Sequence, residues 1–130
     1  MIDGFAQIFQ GKPRRLRQVH HRAKGCVGQG HNALPLFLAD LVTDEHVHQF
    51  YPGINTSTYG ASAEYLGPTL ILHRGDTARI RIHNELAEMT SMHWHGMHVP
   101  GEMDGGPQRI IDPGESWMAE FPVKNPAGTY

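Results

Sequence analysis

Cysteine is nearly absent from this chain of 130 residues: a single one, Cys26, stands against ten histidines. One cysteine closes no internal disulfide, which excludes a disulfide-stapled mini-domain. Charge is sparse as well, at 18% of residues against about 25% in an average globular chain. The formal net charge of −2 gives no general attraction to nucleic acid or to an anionic membrane surface. Long apolar runs are missing too. The stretch Leu70-Ile71-Leu72 is strand-sized, far short of the roughly 18 apolar residues that cross a bilayer, so no membrane span is expected.

What is abundant is turn chemistry. Fifteen Gly and nine Pro exceed ordinary usage and fit an all-β domain with many turns better than a helix bundle. Hydrophobic residues, at 39%, allow one modest core, and the length suits a single domain of about 100–150 residues.

Charge divides the chain. Residues 1–32 hold six of the eleven Lys and Arg and one acid, Asp3, whereas residues 33–130 hold five bases and twelve acids. The first segment is expected to be a basic, disordered arm, with at most a turn or two of amphipathic helix through Ile2, Phe5, Ile8 and Phe9. Its Arg14-Arg15 pair matches a twin-arginine export signal only in those two residues. Gln18, His20, His21, Arg22 and Lys24 follow where an apolar region is required. Without interleaved aromatics the basic run reads as a solvated tail, and no nucleic-acid partner is expected.

Residues 33–130 are expected to form the folded domain. Leu34, Leu36, Phe37 and Leu38 around Pro35 suggest an extended entry strand or a chain lying over a core. Residues 43–63 read as turn-rich, punctuated by Pro52-Gly53, Asn55, Ser57 and Gly60. Thr69 to His73 reads as a short apolar strand and Arg74-Gly75-Asp76 as a turn. Thr77 to His83 alternates, with Ala78, Ile80 and Ile82 on one face and Arg79, Arg81 and His83 on the other. A third strand is expected from Ser91 to Met97. Pro113-Gly114 suits the centre of a type II turn. The last strand aligns Trp117, Ala119, Phe121 and Val123 on one face. No helix is expected after residue 32.

The densest chemistry lies in His93-Trp94-His95-Gly96. If the strand continues, residues i and i+2 share a face. Both imidazoles then project together and Trp94 turns into the core. Paired neutral imidazoles suit copper, zinc, iron or nickel; a solvated pair has the same pattern, and two ligands do not complete a site. His98 falls on the opposite parity and reads as a non-ligand. His46, His48, His73 and His83 read as solvated or hydrogen-bonded, and Met92, Met97 and Met103 as packing rather than thioether ligands.

In order along the chain stand Tyr65-Leu66-Gly67-Pro68-Thr69-Leu70, Arg74-Gly75-Asp76-Thr77, Asn84-Glu85-Leu86, His93-Trp94-His95-Gly96, Val99 to Gln108, Pro113-Gly114-Glu115 and Pro126-Ala127-Gly128-Thr129-Tyr130. This succession resembles the N-terminal cupredoxin (plastocyanin-like) domain of the multicopper oxidases, of the bacterial laccase-like and cuprous-oxidase branch. The resemblance implies an all-β, cupredoxin-like Greek-key β-sandwich. It also implies copper: His93 as a type 2 ligand and His95 as a type 3 ligand of a trinuclear site. Asp104, in the glycine loop, matches an acid thought to pass protons to reduced oxygen, although Asp before Gly-Gly is also a good turn former. Full-length members oxidise phenols or cuprous ion, with dioxygen and a small reducing substrate as partners, and are mostly periplasmic or secreted.

The family carries four histidine motifs, and this chain matches the first. The second would follow Tyr130, and the rest, with the type 1 copper cysteine, lie in further cupredoxin domains; Cys26 falls outside the resemblance. The expectation is a fragment, its sandwich incomplete at the C-terminal end, that does not reduce dioxygen alone. Two other readings stand beside it. One is a non-enzymatic copper module, in which His93 and His95 act with His98 or a second protomer. The other is a copper-free relative serving cell-envelope assembly.

Overall fold

A computed structural model describes residues 36–130 and, before them, the backbone of two short strands, β1 (Ile2–Asp3) and β2 (His21–Arg22). The rest of the basic arm lies outside the described residues. That includes Phe5, Ile8 and Phe9, the Arg14-Arg15 pair and Cys26, and the end of the arm at residue 32. The described domain consists of β3 (Leu36–Tyr51), β4 (Ile54–Ala61), β5 (Thr77–Asn84), β6 (Met92–His93), a 3₁₀ turn over Gly101–Met103 and β7 (Ser116–Pro122). The all-β expectation holds among the described residues.

The main sheet runs β2-β3-β5-β7, with β4 also paired to β3. β3 and β5 are parallel, Leu36 opposite Thr77 and Thr43 opposite Asn84. β5 and β7 are antiparallel, Ile80 opposite Ala119 and Ile82 opposite Trp117. The alternation read from β5 and β7 is what the sheet uses. Ala78, Ile80 and Ile82 are fully buried, and Trp117, Ala119 and Phe121 lie beside them. Each large side chain of this kind contributes about 1.5–3 kcal/mol by burial. Ala39, Leu41 and Thr43 extend the same face along β3. The opposite face is polar, with Arg79 paired to Glu120 and Arg81 to Asp40, both at 2.7 Å. These pairs are exposed and add little stability.

No full second sheet covers the apolar face within the described residues. Irregular segments do so, through Leu70, Leu72, Trp94, Met97, Val99 and Met103, together with the pairing of β6 to β1, which runs parallel. Asn84 ties these segments down. Its buried amide accepts from the Thr43 hydroxyl at 3.1 Å and the Leu86 N–H at 3.0 Å, and donates to the Glu88 and Ile111 carbonyls, both at 2.9 Å. Ile111 in turn exchanges two backbone hydrogen bonds with Thr90, just before β6.

Two expected turns are present. Glu115 N–H donates to the Asp112 carbonyl around Pro113-Gly114, with Gly114 at φ +78°. Asp76 N–H closes the Arg74-Gly75 turn onto His73.

Three strand readings need correction. The segment over 43–63 is not turn-rich: it is the second half of β3 and all of β4, a hairpin turning only at Pro52-Gly53. Val47, Thr56, Thr58 and Tyr59 favour extended backbone, and the ladder from Thr43–Ala61 to Tyr51–Ile54 satisfies it. Thr69 to His73 forms no ladder; it lies across the core with Leu70 and Leu72 inward and Ile71 63% exposed. The third strand stops at His93 instead of reaching Met97.

Candidate metal centre

β6 ends at His93 because the chain turns immediately. Met97 N–H donates to the Trp94 carbonyl at 3.0 Å, and Gly96 takes φ +73°. A four-residue turn with positive φ at its third position is of type II character, and that position favours glycine. His95 therefore leaves from a turn rather than from a strand. The two imidazoles nevertheless come together, with ring centroids 5.8 Å apart and planes at 89°. Trp94 packs inward against Phe121, centroids 5.7 Å apart. The expected outcome is present, while the strand parity offered for it is not.

The loop after the 3₁₀ turn returns to His93. His93 Nδ1 lies 3.0 Å from the Asp104 carbonyl oxygen and 3.2 Å from Asp104 Oδ1. A carbonyl oxygen only accepts, so Nδ1 carries the proton. That tautomer leaves the Nε2 lone pair for a metal, the arrangement usual in metal-binding histidines. Gly105 makes the approach possible: at φ +75° its backbone lies directly against the Met92 carbonyl. Asp104 thus touches His93 through both side chain and main chain. Removing only the carboxylate, as in Asp104→Ala, leaves the carbonyl in place. It is expected to weaken Cu(II) binding by no more than about tenfold, measured by titration; a complete loss would contradict this division of labour.

The other histidines among the described residues 36–130 lie elsewhere. His48 pairs with Glu64 at 3.5 Å, meets Phe50 edge to face and stacks with Tyr65. His73 lies 3.8 Å from Asp76, and His83 Nδ1 lies 2.9 Å from the Ser116 hydroxyl. His46 and His98 join no metal-competent cluster, since no group of three or more His, Cys, Asp or Glu converges among the described residues. Met92 is buried, and Met97 and Met103 pack on the core, in line with packing roles. The chemistry of the donor set suits copper at His93 and His95, and it is incomplete on its own. Beside the pair, a cavity of about 520 Å³ runs over the apolar face past Leu41, Ile80 and Phe121 to Tyr130.

A family model described as multicopper oxidase matches residues 43–130, a span that contains the histidine pair, the glycine loop and strands β4 to β7. The chain belongs to the multicopper oxidase family. A multicopper oxidase of Staphylococcus aureus is 43% identical over 81 residues, covering 62% of this chain and 18% of that protein. Cell division protein FtsP of Escherichia coli is 36% identical over 96 residues, covering 73% of this chain and 20% of that protein. Among solved structures, laccase from Pediococcus acidilactici superposes with a TM-score of 0.67 at 31% identity, over 71% of this chain and 20% of that one. A laccase-like oxidase from Ochrobactrum sp. gives 0.66 at 34% identity, over 72% and 22%. The chain spans about one fifth of the length of these relatives. The expected class is therefore shown: an N-terminal cupredoxin-like domain of a multicopper oxidase, an incomplete β-sandwich over the described residues.

Proposed function

We propose that this chain supplies the first pair of copper ligands, His93 and His95, to the trinuclear site of a laccase-like multicopper oxidase. The observation that carries the reading is the 3.0 Å contact of His93 Nδ1 with the Asp104 carbonyl oxygen. A backbone carbonyl on Nδ1 keeps Nε2 available, with the His95 ring 5.8 Å away. By the family resemblance His93 serves type 2 copper and His95 type 3 copper. Bound copper would supply one-electron redox chemistry toward dioxygen. The chain's own part is to hold two imidazoles at fixed orientation, with Trp94 anchored in the core between them. The Asp104 carboxylate, partly exposed at the rim of the site, holds His93 and is placed to serve as a proton relay. The remaining ligands and the type 1 site belong to further domains, so this segment is not active alone. The substrate class follows the relatives: the Ochrobactrum enzyme is described as oxidising lignin model compounds and lignosulfonate, which favours phenols, with cuprous ion the other member of the class.

A second reading is favoured by one observation. The chain is also 36% identical, over 73% of its length, to a cell division protein, which supports the reading as a copper-free relative serving cell-envelope assembly. Copper titration of the 130-residue chain, alongside a His93→Ala/His95→Ala variant, separates the two. Saturable Cu(II) binding that the double variant loses supports the copper-site reading. Unchanged binding in the double variant overturns it and leaves the second reading.

A further inference from the structure

We propose that Asn125 is a positioning residue for His95, its amide clamping the turn that carries this imidazole to the chain leaving β7. Sequence reading singles out neither Asn125 nor any partner for it. The residue is 4% exposed, and its side chain reaches two backbone groups of one turn. Oδ1 accepts from the His98 N–H at 2.8 Å, and Nδ2 donates to the Gly96 carbonyl at 3.0 Å. A primary amide presents an acceptor and a donor from one rigid plane. Asn125 therefore fixes the turn in orientation as well as in distance.

The clamp is anchored. Val123 N–H donates to the Asp76 carbonyl at 2.8 Å and Gly75 N–H to the Val123 carbonyl at 2.9 Å, so the segment bearing Asn125 is tied to the turn that opens β5. On the other side the Trp94–Met97 turn is closed by its own hydrogen bond. His95 occupies the second position of that turn, so any rotation of the turn swings its imidazole. His93 is held by the glycine loop, and the turn that carries His95 by Asn125, through separate contacts. Without the amide, the Gly96 carbonyl and the His98 N–H, both on exposed residues, would lose the partner that ties them to the buried Asn125. The inference deepens the copper-site reading in naming the metal, but the clamp itself stands on hydrogen bonds of the metal-free chain.

Two measurements test it. In the metal-free chain, the His98 amide is expected to exchange with solvent hydrogen far more slowly than an open amide and to lose that protection in Asn125→Ala. Rapid exchange in the parent chain overturns the proposal and requires no variant. In Cu(II) titrations, Asn125→Ala is expected to bind about tenfold more weakly with an altered copper EPR spectrum. Asn125→Asp keeps an acceptor for His98 but no donor for Gly96, and is expected to fall between. A folded Asn125→Ala with parental affinity and spectrum overturns the positioning role. If the parent chain takes up no copper, nitrogen-15 relaxation of the His95 ring decides the clamp. A more mobile ring in the variant supports it; equal mobility overturns it. If Asn125→Ala does not fold, His98 exchange in the parent chain decides.

Discussion

Gly105→Ala is expected to remove about 2–5 kcal/mol of stability and, with it, the ordered placement of His93. Two effects add. Gly105 sits at φ +75°, where a side chain is strained. A Cβ there would also overlap the Met92 carbonyl group and come within 3.2 Å of the His93 nitrogen. Both obstacles are backbone atoms of β6, so no side chain can swing aside to make room. Relief requires moving the glycine loop, and the loop carries the Asp104 carbonyl that sets the His93 tautomer. Gly114 provides the internal comparison: its φ is +78°, but a Cβ there meets nothing within 4 Å. Gly114→Ala should therefore lose only the backbone term, about 1–2 kcal/mol. Urea unfolding of the two variants side by side isolates the close approach, because the conformational strain is common to both. Equal losses would show that the loop does not press on β6.

Phe121→Ala is expected to destabilise the domain by about 3–5 kcal/mol. Folded domains of this size hold only about 5–15 kcal/mol in total, so the variant approaches the limit of folding. Phe121 is 1% exposed on β7, with Ala78 opposite it on β5 and Trp94 packed on its ring. Its small cross-strand neighbour cannot expand into the cavity left behind. Met118 points from the same strand to the polar face and is 43% exposed. Met118→Ala should stay within about 0.5 kcal/mol of the parent chain. Because Trp94 packs on the Phe121 ring, its fluorescence, isolated by a Trp117→Phe background, should shift in Phe121→Ala toward that of a solvated indole before unfolding begins. A loss below about 1 kcal/mol, with unchanged fluorescence, would mean that Phe121 does not support Trp94.

The legible parts of this fold are those governed by local rules. β5 and β7 were readable because a half-buried strand must alternate, and Ala78, Ile80 and Ile82 do so without interruption. The turns at Arg74-Gly75 and Pro113-Gly114 were readable because both glycines take the positive φ those turns need. The hairpin of β3 and β4 was not. Its Ser, Asn and Gly residues look like turn formers one at a time, and only the ladder with the opposite strand holds them extended. Thr69 to His73 failed in the opposite sense. Its apolar alternation is genuine, but it packs over the core without a strand partner, and a pattern of burial does not specify hydrogen bonding.

The candidate site divides in the same way. His93-Trp94-His95 could be picked out from the chemistry of its residues, and the succession of motif blocks around it pointed to copper. The reason first given for the pairing, a continuous strand, is replaced by a type II turn that brings the rings together from different backbone geometries. Asp104 was visible as an acid near the motif; that its carbonyl as well as its carboxylate meets His93 was not. Asn125 had no local signal at all, being 29 residues from the Gly96 carbonyl it binds.

Abundant turn residues and strict alternation determined an all-β domain by themselves, and the ordered motif blocks carried the resemblance to the multicopper oxidases, which implies His93 and His95 as copper ligands. Composition, alternation and motif order are all readable along one chain. Only the tertiary structure decided how the pair is held: which nitrogen of His93 is protonated, why Gly105 must be glycine, and which distant amide steadies the His95 turn. Each of these depends on backbone groups far apart in sequence arriving within about 3 Å of one another, a hydrogen-bond distance that no local pattern encodes.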